Sequence, residues 1–116
     1  PTTQNYTQFL INTAYQGTYP ELVAALVPCQ WGYWEIGNYL ARQGFPKDRP
    51  AYRQWIEMYT NTEFRRLAYW LRNHTNQLAA DEGNNARERM QKAYLYSLRY
   101  EYMFWDMAYK MESWPV

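Results

Sequence analysis

The sequence of 116 residues is poor in the side chains that build disulfides and metal sites, with one cysteine, Cys29, and one histidine, His74. A single cysteine forms no internal disulfide and supplies no cysteine pair to a structural zinc ion. One histidine cannot furnish the repeated Glu-x-x-His pairs of a di-metal helical bundle. We therefore expect neither a disulfide-stapled secreted scaffold nor a bound metal, and a lone thiol suits the reducing cytoplasm.

Charge of one sign and long apolar runs are also scarce. Twelve Lys and Arg against 11 Asp and Glu leave a formal net charge of +1. That balance offers no basic face to a phosphate backbone. The longest apolar run, residues 22–27, is much shorter than the roughly 18 residues of a membrane helix. The composition therefore predicts partners other than nucleic acid and membranes.

Aromatic side chains are abundant, with 13 Tyr, 6 Trp and 4 Phe. Such a chain is too apolar for disorder, so its rings must be buried in a core or against partners. A length of 116 residues supports one domain at most.

Glycine and proline divide the chain into segments whose apolar residues recur at helical spacing, and no segment alternates long enough for a strand. The predicted fold is therefore all-α. A threonine cap is expected on the first helix, a kink at Pro28 in the second, and a capping box of Thr60 and Glu63 at the start of the fourth. The five predicted helices cover, approximately, residues 3–15, 20–42, 50–59, 60–80 and 84–112.

Cys29 lies on the apolar stripe of the second predicted helix. A lone cysteine on such a stripe is either a small buried hydrophobe or a nucleophile, and spacing alone leaves both interpretations open. Tyr33 follows one turn later. It is either a core tyrosine with a satisfied hydroxyl or a side chain that turns its hydroxyl toward the same cavity.

Glu101 lies on the inward stripe of the fifth predicted helix, among aromatic and aliphatic residues. Burying an unpaired carboxylate is costly, so this group should be hydrogen-bonded or should have a raised pKa. Both properties are typical of a catalytic acid or base. They are also typical of a structural acid that tyrosine hydroxyls or helix ends satisfy.

Three blocks of sequence occur in order along the chain, and the first contains Cys29 and the last contains Glu101. The blocks are PCQWGYWEIG at 28–37, YRQWIEMY at 52–59 and YEYMFWDMAY at 100–109. Together they resemble the TenA/thiaminase II family. The resemblance covers essentially all of this chain but only about the carboxyl-terminal half of the family's domain, so residues 1–116 are expected to form that half.

The resemblance implies a haem-oxygenase-like helical bundle without haem or another cofactor, usually assembled as a homotetramer. The activity it implies is hydrolytic removal of a leaving group from the methylene of a 4-amino-2-methylpyrimidine. The substrate would be thiamin or the aminomethylpyrimidine left by thiamin breakdown. We therefore expect an aminopyrimidine aminohydrolase of thiamin salvage, located in the cytoplasm.

Particular residues of this chain acquire roles through the same resemblance. Cys29 would be the nucleophile that adds to the pyrimidine ring, and Glu101 would manage the protons of the ring and the leaving group. Tyr33 and Tyr59 would line the ring pocket, and Tyr6 would hydrogen-bond near Cys29. Because Cys29 is present, the chain is similar to the branch of the family that carries a catalytic cysteine.

One departure from the family concerns the missing half. In the family an acidic residue and further aromatics from the amino-terminal half hold the aminopyrimidine edge, and these 116 residues contain none of that half. We expect the inward stripes of the second and fifth helices to face water unless a missing segment, a second polypeptide or another copy covers them. The alternative function is a non-catalytic helical half-domain for binding or assembly, with Cys29 as a core residue. A transcription regulator ranks last because no helix is basic.

Overall fold

The computed structural model describes all 116 residues and consists of helices joined by short connections. The all-α class and the number of helices are confirmed. None of these helices is long and apolar enough to cross a bilayer. The helices are α1 (Thr2–Gln16), α2 (Tyr19–Gln43), α3 (Pro50–Thr60), α4 (Thr62–Asp81) and α5 (Asn84–Lys110).

The start of α1 differs from the prediction. The N-cap is Pro1, and no side chain caps the helix. The backbone N–H and the hydroxyl of Thr2 instead donate hydrogen bonds of 3.0 and 3.1 Å to the carboxylate of Glu112. A carboxylate from the far end of the chain thus accepts from a free donor that a threonine cap would otherwise satisfy. The predicted threonine cap is wrong for that reason.

The start of α4 also differs. Thr60 is the last residue of α3, and its hydroxyl donates a 2.9 Å hydrogen bond back to the carbonyl of Ile56. The N-cap of α4 is Asn61, whose Oδ1 accepts a 2.8 Å bond from the N–H of Phe64. Asparagine caps a helix at least as well as threonine, and it adjoins α4 directly. The predicted capping box of Thr60 and Glu63 is therefore wrong.

The central element is α2, which packs against all four other helices. Its N-cap is Thr18, and it remains one helix through Pro28, so the kink expected there stays a prediction. It ends at Gly44, whose positive φ of 100° suits a residue without Cβ. The buried apolar cluster between α2 and α4 consists of Val23, Val27 and Leu71, against which Trp31, Leu78 and Tyr94 pack.

A second close approach joins α2 to α3. Gly37 of α2 is buried, and a Cβ built on it would lie 3.0 Å from the Cβ of Tyr59 and 3.3 Å from that residue's carbonyl oxygen. The missing side chain lets the end of α3 lie directly on α2. Tyr59 is thereby held beside the second half of α2.

The molecule is a flat plate of 51 × 43 × 18 Å. Its radius of gyration is 16.1 Å, against about 13 Å for a compact domain of this length. Residues of the predicted inward stripes face solvent on this plate, since Leu26, Leu98 and Trp105 are 37%, 45% and 39% exposed. The expectation that these stripes face water therefore holds for those residues but not for the whole stripes, since Ala25 and Glu101 of the same stripes are buried.

Candidate active site

Five side chains from four helices lie next to one another beside α2. Tyr6 comes from α1, Cys29 and Tyr33 from α2, Tyr59 from α3, and Glu101 from α5. The four helices can converge because α2 contacts each of the other three. All five residues singled out from the sequence are therefore brought together, while their roles stay predictions.

Glu101 is the buried acid of this group. Its side chain is 9% exposed, and its Oε1 lies 2.9 Å from the hydroxyl of Tyr6. That hydroxyl lies 2.7 Å from Oγ of Ser97, which donates a 2.6 Å hydrogen bond to the backbone carbonyl of Ala25. The carboxyl group is thus buried and hydrogen-bonded at once, joining α5 to α1 and, through Ser97, to α2.

The thiol of Cys29 lies close enough to the carboxyl group of Glu101 for the two side chains to act on each other's pKa. Burial, with the charge of that carboxylate as the next cause, raises the pKa of Cys29 to about 11. Burial also raises the pKa of Glu101, although the hydrogen bonds from Tyr6 and Cys29 oppose the rise. The resting pair at neutral pH is a protonated thiol beside an acid that holds its proton more tightly than usual.

Such a pair has a defined chemical capacity. A thiol becomes a strong nucleophile only as its thiolate, so Cys29 needs a proton acceptor. The carboxylate form of Glu101 is in contact with it and can take that proton. The acid form of Glu101 can give a proton to a bound molecule, which is the task of a general acid.

Aromatic rings form a wall beside the thiol and the acid. The ring of Tyr33 lies 5.1 Å from that of Tyr59 and 5.7 Å from that of Trp105. Trp55 adds a ring 4.7 Å from Tyr59. Burial, followed by the charge of Glu101, raises the pKa of Tyr33, so its hydroxyl stays a neutral donor. The arrangement suits a flat heterocycle, which can stack on these faces.

Three residues of this group received no role from the sequence. Trp55 lies inside the block 52–59, and Trp105 lies on the inward stripe of α5, so position alone could have suggested both. Ser97 precedes Glu101 by one helical turn, and that spacing was its only signal. Its contacts depend on how α5 is placed against α1 and α2, which the periodicity of one helix does not contain.

A cleft of about 690 Å³ lies elsewhere, between α1 and α5. It contains none of the five site residues, and amide, hydroxyl and charged side chains such as Arg89 and Lys92 line it. No cluster of three or more His, Cys, Asp or Glu side chains occurs in the structure. Cys29 and the buried acid Glu101 lie together on the face beside α2, away from this cleft.

Comparison of the chain with known proteins identifies its family. The chain is 37% identical over 115 residues to an aminopyrimidine aminohydrolase of Halalkalibacterium halodurans, covering 97% of the chain and 50% of that protein. It is 34% identical over 114 residues to an aminopyrimidine aminohydrolase of Bacillus subtilis, covering 98% and 48%. The chain spans about half the length of these curated relatives.

A third relative is a multifunctional protein. Over 62 residues, 53% of this chain and 8% of that protein, the chain is 44% identical to the thiamine biosynthesis multifunctional protein ThiED of Corynebacterium glutamicum. The model of the TENA/THI-4/PQQC family matches residues 1–111. Because that match covers almost every residue that builds the five helices, the chain belongs to the TENA/THI-4/PQQC family.

Proposed function

We propose that this chain carries the cysteine and acid half of the active site of a hydrolase for thiamin-related aminopyrimidines. The observation that carries the proposal is the closeness of the Cys29 thiol to the buried Glu101 carboxyl group, which is itself hydrogen-bonded to Tyr6. Two relatives named aminopyrimidine aminohydrolase and one named for thiamine biosynthesis support the substrate class. Thiamin and its aminomethylpyrimidine breakdown product both contain the required ring.

The reaction begins with the ring. Cys29 forms a bond from sulfur to a ring carbon, and the displaced electron pair moves to a ring nitrogen, which takes the proton of Glu101. The thiol proton passes to the carboxylate so formed. The dearomatised ring then expels the group on its methylene, which leaves with its electron pair and takes a proton from Glu101. The oxygen of water bonds to the methylene carbon, and the extra proton of that water passes to the Glu101 carboxylate. The bond between sulfur and the ring then breaks, sulfur leaves with the electron pair and takes the proton of the ring nitrogen, and the aromatic ring is restored.

The tyrosines hold the ring in this scheme. Tyr33 and Tyr59 present neighbouring faces at 5.1 Å, against which a pyrimidine packs. Tyr6 hydrogen-bonds the catalytic carboxyl group and fixes its orientation toward sulfur. Accurate placement of both reacting groups lowers the barrier because no orientation has to be found during the reaction.

The open face implies a covering segment in the active protein. The chain spans 50% and 48% of the two aminohydrolases, and Leu98 and Trp105 are exposed beside the site. We propose that a further segment, corresponding to the other half of these relatives, closes the pocket. The active protein would assemble as a homotetramer in the cytoplasm and need no cofactor.

The decisive assay measures hydrolysis of thiamin and of the aminomethylpyrimidine, first with this chain and then with the amino-terminal half of a relative added. With the pocket complete, Cys29→Ser and Glu101→Gln should each lower kcat by at least about 100-fold. Glu88→Gln is the matched control, because Glu88 is an exposed carboxylate on the same helix as Glu101. Full activity in either site variant would contradict the mechanism.

A non-catalytic binding or assembly module is the second candidate, and the exposed apolar side chains favour it. Under that function the chain would associate with the added half as tightly in the Cys29→Ser and Glu101→Gln variants as in the unaltered protein, and neither form would turn over a pyrimidine. Measuring association and hydrolysis on the same samples separates the two candidates.

A further inference from the structure

Ser97 is the most completely enclosed polar side chain of the site. It is 0% exposed and contacts the carbonyl of Ala25 on α2 and the hydroxyl of Tyr6 on α1. Glu101 lies one turn further along the same helix and touches the same tyrosine hydroxyl. Ser97, Tyr6 and Glu101 therefore form one buried chain of hydrogen bonds that ends at a peptide carbonyl.

The protons of this chain can be counted. The carbonyl of Ala25 only accepts, so the 2.6 Å contact uses the single proton of Ser97. The oxygen of Ser97 then has only lone pairs for Tyr6, and the 2.7 Å contact uses the single proton of Tyr6. Tyr6 donates at 2.9 Å to Glu101 when that group is a carboxylate. While the Tyr6 proton is on the bond to Ser97, however, the Tyr6 oxygen can only accept from Glu101. All three hydrogen bonds form together when Oε1 of Glu101 carries a proton.

Ionisation of Glu101 breaks this pattern. A carboxylate only accepts, so Tyr6 has to turn its proton from Ser97 to Glu101. Ser97 must then either donate to Tyr6 and leave the carbonyl of Ala25, or keep that carbonyl and lose Tyr6. One buried hydrogen bond is lost in both cases, and a buried polar group without its partner is costly.

We propose that Ser97 is a positioning residue that fixes the direction of the hydrogen-bond chain from Glu101 through Tyr6 to Ala25 and thereby keeps Glu101 loaded with its proton. The inference deepens the proposed function, on which it rests for the use of that proton. Because a peptide carbonyl ends the chain, the stored proton has no exit in that direction.

The surroundings of Glu101 contain no charged group that would compete with this effect. The groups that act on its pKa are Tyr6 of α1 and Cys29 of α2. After burial, the charge of the Glu101 carboxylate is the next cause that raises the pKa of Tyr33, which lies on α2 as Cys29 does. All three are neutral near pH 7 because burial raises their pKa values. A change in the titration of Glu101 can therefore be assigned to its hydrogen bonds and its solvation.

Infrared titration of the folded protein labelled with ¹³C-carboxyl glutamate tests the proposal, with Glu101→Gln assigning the band. Ser97→Ala frees the Tyr6 proton for the carboxylate, so the acid dissociation constant of Glu101 should rise about tenfold. In a Tyr6→Phe background the same substitution should change it less than about threefold, because Ser97 acts only through Tyr6. If Ser97→Ala changes the acid dissociation constant of Glu101 equally with and without Tyr6→Phe, the cause is water that enters the site. If Ser97→Ala leaves the constant unchanged, Ser97 has no role in it. Either result overturns the proposal.

Two further measurements keep the test open to refutation. Ser97→Cys retains approximately the size of the side chain but weakens its hydrogen bonds. It should therefore raise the acid dissociation constant of Glu101, but by less than Ser97→Ala does. A decrease in that constant contradicts the inference. At a pH just above about 4.3, the ordinary pKa of a glutamate, the unaltered protein should still show the band of a protonated carboxyl group that Glu101→Gln removes, and its absence overturns the proton placement. None of these readings needs substrate, so loss of this inference is distinguishable from loss of hydrolysis.

Discussion

Burial sets the protonation of Cys29 before any substrate binds. The thiol is half-buried on α2, and its pKa is raised to about 11. A thiol with that pKa is almost entirely protonated near pH 7 and is a weak nucleophile. Activation has to come from a proton acceptor close to the sulfur, and Glu101 is the acidic side chain that acts on the pKa of this thiol. The two residues therefore act as one unit, in which each protonation state depends on the other.

The first prediction concerns this dependence. Glu101→Gln removes the carboxylate charge but keeps the shape, so the pKa of Cys29 should fall below 11 while burial, the larger cause, holds it above the ordinary value. The rate of iodoacetamide alkylation against pH reports the change, because Cys29 is the single thiol. Glu35→Gln, at an exposed position of the same helix, should leave the pKa of Cys29 unaltered. An unchanged value in Glu101→Gln would contradict the pairing.

The second prediction links Glu101 to stability. Its pKa is raised in the folded protein, so its contribution to stability is fully present below the unfolded pKa of about 4.3 and is lost as the pH rises through the folded pKa. The free energy of unfolding of the unaltered protein, relative to Glu101→Gln, should therefore decline as the pH rises above about 4.3. Urea denaturation across this range measures it. A difference that grows with pH would mean a lowered pKa instead.

The sequence indicated the acid because a carboxyl group is unusual on an apolar stripe, whereas the thiol acquired a role only through the resemblance of its block to the family. A carboxyl group buried among aromatic rings needs a hydrogen-bond partner, and the hydroxyl of Tyr6 is such a partner for Glu101. Ser97 could not be found in the same way, since a serine on a helix is unremarkable. Its importance depends on the carbonyl of Ala25 in another helix, and that distance is set by packing rather than by the pattern of either segment.

Among the helices, the contact of α2 with α3 controls the aromatic wall. Gly37 allows α3 to approach until Tyr59 lies against α2, which places its ring 5.1 Å from that of Tyr33. Gly32 lies on the same helix, and a Cβ built there meets nothing within 4 Å. The two glycines thus have different reasons to be present, although the sequence shows them alike.

The third prediction compares these glycines. Gly37→Ala gains helix propensity but forces α3 away from a 3.0 Å contact, so we expect a net loss of about 1 to 2 kcal/mol and a displaced Tyr59. Gly32→Ala gains the propensity without a clash and should stabilise by about 0.5 to 1 kcal/mol. Urea midpoints give both values. Equal effects at the two positions would show that the approach of α3 does not depend on Gly37.

The fourth prediction concerns the start of α4, where two adjacent residues can cap a helix. Asn61→Ala removes the 2.8 Å bond to the N–H of Phe64 and should cost about 1 kcal/mol. Thr60→Val keeps the shape and removes only a hydroxyl that bonds back to Ile56, so it should cost a few tenths of that. Denaturation of both variants measures the difference. A larger loss in Thr60→Val would restore the capping box.

Local sequence could not decide between these caps. Thr60 and Asn61 both belong to the residue types that favour an N-cap, and Glu63 completes the pattern for the first of them. The outcome depends on where α3 ends, because a residue still inside α3 cannot cap α4. Helix existence was therefore predictable from periodicity, while helix boundaries depended on interactions of single residues.

The whole molecule has more surface than its mass requires. A folded monomer of 14.1 kDa exposes about 6,700 Å², whereas this chain exposes 8533 Å². The excess of about 1,800 Å² is roughly twice the area that one partner buries in a protein–protein interface of standard size. Because the molecule is only 18 Å thick, both of its broad faces are exposed to solvent. The exposed stripes beside the site are the apolar part of that excess.

The fifth prediction follows from this surface. The 116-residue polypeptide should associate at micromolar concentration, with itself or with an added amino-terminal half, because exposed apolar surface of this extent is rarely left in water. Leu98→Glu places a charge on the exposed face beside the site, which the associating partner would cover, and should weaken association by roughly tenfold or more. Sedimentation velocity measures both effects.

Met103→Glu is the matched control for that substitution, because Met103 and Leu98 are 43% and 45% exposed but lie on different sides of α5. If the open face beside Cys29 is the one that is covered, Met103→Glu should leave association almost unchanged. A monomer at every concentration, or equal weakening by the two charges, would mean that this face stays in water. The active-site cavity would then have to form without a covering segment, and the half-site proposed for Cys29 and Glu101 would fail with it.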